Sequence, residues 1–498
     1  MAYQEFHHFT DEVFESRKII DVDGSALYET ELGSLLRKII TRNNTALLKQ
    51  YIAAWNLTSS GIPVVDIQSH DPFYTAVANG SLDVLRVLLD IHRGNPNSVS
   101  IEQRGFSLLN VACEYAQLEA AKFLLDSGTV DDRHQVEWTP VISAAYSTGA
   151  LGEVAGADRA QGQAVMNLLL DRGASARDAV PFPTDIDMTS EAQPIPQVEF
   201  TVLRLAIKGS SYEMVKRLLE HGADVQGRLG YYSNGLGFCD DGVNVRDVTA
   251  LHLGSQCGNV DGARAPLDHG GDERGLKTPD LVYCRDSMVR LPLHWVAAGH
   301  DRVFERLLPE STLKNAITST FGFLVSEDDK ATTVKFINTQ DKKGATPLHY
   351  AVSAHAHCGN RGSNHAYHIA QWLCSRGGDA NIVDCRGQSV LHKLAYWSFD
   401  GEALDLSLID LLLDHGAPIN YTDESGETAL HIMARNLRQA AATSMLLERG
   451  GRIDIDDGRQ EWVTPEDRIR AQNEVVEALL EAGGSIIDQP IREGKTPR

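Results

Sequence analysis

Asp341-Lys342-Lys343-Gly344-Ala345-Thr346-Pro347-Leu348-His349 is the stretch that decides the fold. Asp341 to Gly344 has the composition of a tight turn. Thr346 is placed to cap a helix, its hydroxyl accepting from orphaned amides. Pro347 then occupies the first helical position, where a missing N–H costs nothing. Leu348, Tyr350 and Ala351 begin an apolar face. The helix-opening phrase returns as Thr249-Ala250-Leu251-His252, Leu291-Pro292-Leu293-His294, Ser389-Val390-Leu391-His392 and Thr428-Ala429-Leu430-His431. The turn returns as Asp384 to Gly387 and Asp423 to Gly426. A self-similar phrase at such intervals is the mark of a solenoid, and it implies a surface built to bind something.

Outward from this unit, a second helix runs through His368, Ile369, Ala370, Trp372 and Leu373, and Gly377-Gly378 supplies a left-handed end. Leu-Leu pairs or eroded versions of them mark the second helix of each unit, from Tyr51-Ile52 to Leu479-Leu480. The spacing from Leu413 to Leu447 is 34 residues and from Leu447 to Leu480 is 33; earlier intervals are longer and imply insertions.

These residues resemble the ankyrin repeat, two short antiparallel helices and a hairpin loop per unit. The resemblance covers 31–485; it is strongest over 341–451, clear at 72–128 and 200–225, and eroded from Ser34 to Ile52, where it reads as a capping repeat. It implies an all-α ankyrin-repeat solenoid of about ten helix-turn-helix units with several long inserted loops. Residues 1–30 stand as an N-terminal segment and 486–498 as a C-terminal tail. Insertions are expected at 147–163, 176–199, 228–245 and 308–341, the last long enough for an extra helical element. The resemblance also implies that His252, His294, His349, His392 and His431 tie adjacent repeats by hydrogen bonds rather than catalyse. Pro266, in Arg264-Ala265-Pro266-Leu267, is expected to shorten its helix or to start it, because proline inside a helix costs about 3 kcal/mol.

Of 498 residues, 42% are hydrophobic and 23% charged, the balance of a folded soluble chain. Sixty-eight acidic residues against 46 basic give a net charge of −22. Such a charge repels nucleic-acid phosphate and anionic lipid and favours a protein partner with a basic surface. No apolar run is long enough to span a bilayer, and the opening residues lack the apolar core of a signal peptide. Seven cysteines at irregular spacing do not form a disulfide framework. An intracellular, reducing compartment, cytoplasm or nucleus, is the expectation.

Searching for chemistry finds no phosphate loop, dinucleotide fingerprint, zinc-protease helix or nucleophile elbow. No cofactor is implied. His355, His357, Cys358, His365 and His368 gather around one inserted loop, and imidazole with thiolate suits zinc, but the spacing matches no recognised metal motif. Tyr231, Tyr232, Phe238, Asp240 and Asp241 lie in a glycine-rich insertion, and aromatics of this kind anchor interfaces. The repeat array without a catalytic phrase points to a non-enzymatic interaction scaffold or adaptor, using a concave face and hairpin tips. The alternative is an enzyme or auxiliary factor of a biosynthetic pathway whose inserted loops bind a small molecule.

Overall fold

The computed structural model describes residues 18–21, 24–28, 34–54, 71–94, 108–127, 138–149, 159–181, 199–232, 244–269, 278–298, 319, 324–325, 330–358, 365–397, 404–434, 439–452, 470 and 473. The chain divides into two units, one of residues 1–193 and 197–225 and one of residues 194–196 and 226–498.

The first unit begins with an antiparallel ribbon, β1 (Lys18–Ile20) and β2 (Ala26–Tyr28), in the register Ile19 to Leu27. Helix pairs follow: α1 (Ser34–Thr41) with α2 (Thr45–Ala54), α3 (Pro72–Ala78) with α4 (Leu82–Gly94), and α5 (Leu108–Glu114) with α6 (Leu118–Ser127). Then come α7 (Pro140–Gly149) with α8 (Arg159–Asp171), and α9 (Val202–Ala206) with α10 (Tyr212–Glu220). Helices this short are marginal alone and form because their apolar faces are covered by neighbours. The first helices stack in series, α1 on α3, α3 on α5, α5 on α7 and α7 on α9. Leu48, Leu85 and Leu88 between the layers are fully buried, each stabilising by about 1.5–3 kcal/mol. Buried Asp71 caps α3, its Oδ1 accepting from the amides of Phe73 at 2.8 Å and Tyr74 at 2.9 Å. Between α8 and α9 the chain forms a second ribbon, β3 (Ala179–Pro181) with β4 (Glu199–Thr201), at the two ends of one expected insertion. Along the outer helices run exposed ion pairs, Arg172 to Asp126 at 2.6 Å and Arg217 to Asp171. Such pairs contribute little each.

The second unit opens on the ribbon β5 (Leu229–Tyr232) and β6 (Asn244–Val248), which pairs Tyr231 with Val245 and Tyr232 with Asn244. Its first helices are α11 (Ala250–Gln256), α13 (Pro292–Ala297), α15 (Pro347–Cys358), α17 (Val390–Trp397) and α19 (Ala429–Met433), again stacked in series. The outer layer holds α12 (Val260–Asp268), α14 (Lys330–Ile337), α16 (His365–Ser375), α18 (Leu406–Asp414) and α20 (Ala440–Glu448). Each unit thus contributes five first helices among the described residues, and the protein is an all-helical repeat solenoid whose only strands there are three short ribbons. Helix α14 lies within the expected insertion 308–341 and leads directly into the turn at Asp341, with Phe336 and Ile337 buried.

Pro266 corrects one expectation. Helix α12 starts at Val260 and carries Pro266 at its seventh position. The bond it forfeits would run to Gly262, and a proline in the last turn leaves few further amides to orphan. Trp295 and Trp372 are buried, as core residues of their helices; the Trp397 side chain lies outside the described residues.

Candidate functional site

Each helix-opening histidine of the second unit sits at the third helical position and turns back on its own cap. The backbone N–H of the capping residue donates to Nδ1: Thr249 to His252 at 3.2 Å, Leu291 to His294 at 3.1 Å, Thr346 to His349 at 3.2 Å, Ser389 to His392 at 3.1 Å and Thr428 to His431 at 3.3 Å. With Nδ1 an acceptor, the proton resides on Nε2. Nε2–H then donates to the next repeat: His252 to the Arg290 carbonyl at 3.2 Å, His294 to Thr339 at 3.0 Å, His349 to Gln388 at 3.2 Å and His392 to Glu427 at 2.9 Å. A neutral imidazole satisfies both ends of this bridge, and a protonated one cannot accept from the cap. Burial accordingly pushes these histidines down, to about 4 for His252, His349 and His392 and about 3 for His294.

Eight residues before each histidine stands the residue that shapes the turn. Asp341 Oδ1 accepts from the amides of Lys343 and Ala345, both at 2.8 Å. Asp384 does the same for Arg386 at 2.9 Å and Gln388 at 2.8 Å, and Asp423 for Ser425 at 2.8 Å and Glu427 at 3.1 Å. The second carboxylate oxygen takes a side-chain donor: Tyr350 on Asp341 at 2.6 Å, Lys393 on Asp384 at 2.7 Å and Tyr396 on Asp423 at 2.9 Å. Burial raises the Asp341 carboxyl against the pull of these donors. At Asp384 burial also pushes up, but the Lys393 ammonium and the turn amides outweigh it and the carboxyl ends lowered.

A fourth turn of this kind escapes a search for its closing glycine. In Asp286-Ser287-Met288-Val289, Val289 takes the left-handed position at φ 65°, where the other turns hold Gly344, Gly387 and Gly426. Asp286 Oδ1 accepts from the amides of Met288 and Arg290, both at 2.9 Å. Its Oδ2 takes Arg290 Nε at 2.7 Å and Trp295 Nε1 at 3.0 Å. The corresponding stretch before His252, Asn244 to Asp247, lies within β6, where the register shifts opposite Leu229 and Tyr231 and Asp247 takes the left-handed position at φ 62°. Counting eight residues back from His294 and His252 would have found both.

The four turns and this stretch of β6 are joined tip to tip. The amide of the second residue in each donates to the carbonyl of the third residue in the turn before. Ser287 reaches Arg246 at 2.8 Å, Lys342 reaches Met288 at 2.8 Å, Cys385 reaches Lys343 at 2.7 Å and Glu424 reaches Arg386 at 2.9 Å. Beneath the last three turns this row overhangs a groove of about 570 Å³, whose floor includes Tyr350 and Ser353 of α15 and Lys393 and Tyr396 of α17. Its walls are the tips themselves, Lys343, Arg386 and Ser425 among them. Tyr350, Lys393 and Tyr396 are held by the buried aspartates, and the Ser353 hydroxyl donates to the His349 carbonyl at 2.8 Å, so the groove is preformed rather than assembled on binding.

Of the residues singled out as partner-binding, Tyr231 and Tyr232 lie on β5, with side chains outside the described residues; Phe238, Asp240 and Asp241 lie outside them altogether. The side chains of His355, His357, Cys358 and His365 also lie outside, while His368 is half-buried with its ring edge-on to Tyr367 at 5.7 Å. Among the described residues no group of three or more histidine, cysteine or acidic side chains is placed to hold a metal ion. No helix among them is long and apolar enough to cross a membrane.

Comparison with known proteins agrees with this geometry. The family described as ankyrin repeats in three copies matches residues 37–135 and 355–457, and the single ankyrin repeat matches residues 199–228. The chain is 26% identical over 242 residues to the B-cell lymphoma 3 protein homolog of Mus musculus, covering 48% of this chain and 44% of the mouse protein. It is 28% identical over 132 residues to an ankyrin repeat protein of Acanthamoeba polyphaga mimivirus, covering 26% of this chain and 15% of the viral one. The chain therefore spans less than half the length of either relative.

Proposed function

We propose, from the premise that this chain is an ankyrin-repeat protein, that it acts as a scaffold or adaptor and takes up a polypeptide partner in the groove beneath the turn tips of the second unit. Ankyrin repeats in general mediate protein–protein interaction, and the groove supports reading that role on this face of the chain. The observation that carries the reading is the preformed cleft of about 570 Å³ between the linked tips and helices α15 and α17. Its floor offers aromatic rings, a hydroxyl and an ammonium, the mixture that anchors a peptide and fixes its orientation. The test is a photo-cross-linking residue placed at Ser425, on the groove wall, and separately at Glu448, exposed at the end of α20. A polypeptide adduct from position 425 alone supports the reading. Equal adducts from both positions, or none from either, would overturn it.

A further inference from the structure

We infer that the segment this groove takes up is acidic: an extended stretch of polypeptide bearing several Asp or Glu side chains, lying along the row of turn tips. This rests on the reading of the groove as a polypeptide site and adds the class of partner. The carrying observation is charge placed against the trend of the chain. The whole sequence holds 68 acidic and 46 basic residues. Yet the second and third positions of the four turns and of the matching stretch of β6 carry Arg246, Lys342, Lys343 and Arg386 against Glu424, with half-buried Asp247 next to Arg246 the other carboxylate of the row.

The turn carboxylates do not cancel these cations. Asp341, Asp384 and Asp423 point inward, are nearly fully buried and are occupied by backbone amides and the floor donors. Lys393 is likewise occupied, by Asp384 and by Gln388 Oε1 at 2.8 Å. Arg246, Lys342 and Arg386 are exposed, against exposed Glu424 and half-buried Asp247, so the net charge that faces outward along the row is cationic. The tip-to-tip hydrogen bonds hold successive cations in one register. An extended acidic segment can therefore pair with several at once without reordering the backbone.

Whole-chain charge favours a basic partner; local charge decides at contact range, because exposed charges beyond about 8–10 Å are largely screened at physiological salt. The same −22 weighs against nucleic acid, whose many phosphates extend past a row this short and meet the acidic remainder. A floor of Tyr350, Ser353 and Tyr396 also gives side chains clefts to enter.

The full chain is panned against a random peptide library displayed on phage, in parallel with an Arg386→Glu, Lys342→Glu double variant. Both altered side chains are exposed, so the variant keeps its fold, which circular dichroism checks. The expected result is enrichment of peptides with clustered Asp or Glu. A synthetic copy of one should bind the native chain about tenfold or more tighter than the double variant, weaken with added salt, and bind tighter to Glu424→Lys. Selected peptides that cross-link at position 425 but show no acidic bias would end the acidic assignment and leave the groove reading standing. No enrichment at all would end both. A single-stranded oligonucleotide that outcompetes the acidic peptide would overturn the assignment in favour of a phosphate ligand.

Discussion

The side-chain amide of Asn110 donates to the carbonyl of Trp138 at 2.6 Å, and this is the first unit's version of the bond from His349 to Gln388. Both donors sit at the third position of their helix, and both acceptors lie two residues before the first helical residue of the next repeat. Asn110→Ala removes the donor and leaves a carbonyl unpaired between helices, a loss of about 1–3 kcal/mol. Because repeats contact only their neighbours, amide exchange should accelerate in α5 and α7 and stay slow in α15 to α20. An unchanged urea midpoint would show that the bond contributes nothing.

Gly344 and Gly387 occupy equivalent turn positions at φ 76° and 68°, yet they differ in what surrounds them. A Cβ on Gly344 would meet the backbone nitrogen of Cys385 at 2.9 Å, whereas on Gly387 the nearest atom is Asp423 Cα at 3.4 Å. Both alanine variants bear left-handed strain of roughly 1–2 kcal/mol. Gly344→Ala should lose more than Gly387→Ala, since the tip-to-tip ladder must also shift. Val289→Gly runs the other way. It releases strain of about 1–3 kcal/mol and gives back roughly 0.5–1 kcal/mol of chain entropy, so the midpoint should rise. Equal losses for the two alanine variants, or a fall for Val289→Gly, would contradict this account.

The solenoid was legible because its periodic phrase is imposed by packing: a capped helix start, an apolar face and a Leu-Leu pair must recur for neighbours to stack. The inner row was only partly legible. The turn at Asp286 was missed because Val289 replaces the glycine that marks the pattern, and the structure tolerates it at the cost of strain. Asn110 was missed because an amide and an imidazole look unrelated as letters while donating to the same place. The groove itself has no phrase of its own. Its floor and tips are read from contacts between residues distant in sequence, such as the Tyr396 hydroxyl on Asp423, 27 residues apart, and the backbone bond from Cys385 to Lys343, and no local window contains both partners.

Acid should loosen the second unit. His252, His349 and His392 are held near 4 and His294 near 3 by burial, below the usual value of 6.5. Between those values the unfolded chain takes up protons that the folded chain refuses. Stability is therefore complete above about pH 6.5 and falls as the pH drops toward 4, by up to about 1.4 kcal/mol per pH unit for each histidine. Urea midpoints measured at intervals from neutral to mildly acid pH should decline, and a variant with His349→Asn should decline less steeply. A midpoint that holds steady across this range would rule the mechanism out.

Leu412 is fully buried in α18, between layers of the most regular repeats. Leu412→Ala should lose about 2–5 kcal/mol, from lost transfer energy and the cavity left behind. Exchange should accelerate in α16 to α20; uniform acceleration along the whole chain would contradict a nearest-neighbour array.

The buried pair Arg290 and Asp286 gives the sharpest asymmetry. Side-chain exposure is 1% for Arg290 and 0% for Asp286, and the guanidinium also lies 5.3 Å from the Trp295 ring. Asp286→Ala removes the carboxylate paired with the buried guanidinium, and orphans the indole N–H and two turn amides. A loss of about 3–5 kcal/mol is expected. Arg290→Met removes the other partner but leaves Asp286 accepting from Met288, from the residue 290 amide and from Trp295, so the carboxylate keeps three donors. The methionine can fill the arginine's volume, and replacing the cation should cost far less than removing the anion. Urea denaturation of the two variants decides the matter: if Arg290→Met is the more damaging, the aspartate is not the organising centre of this turn.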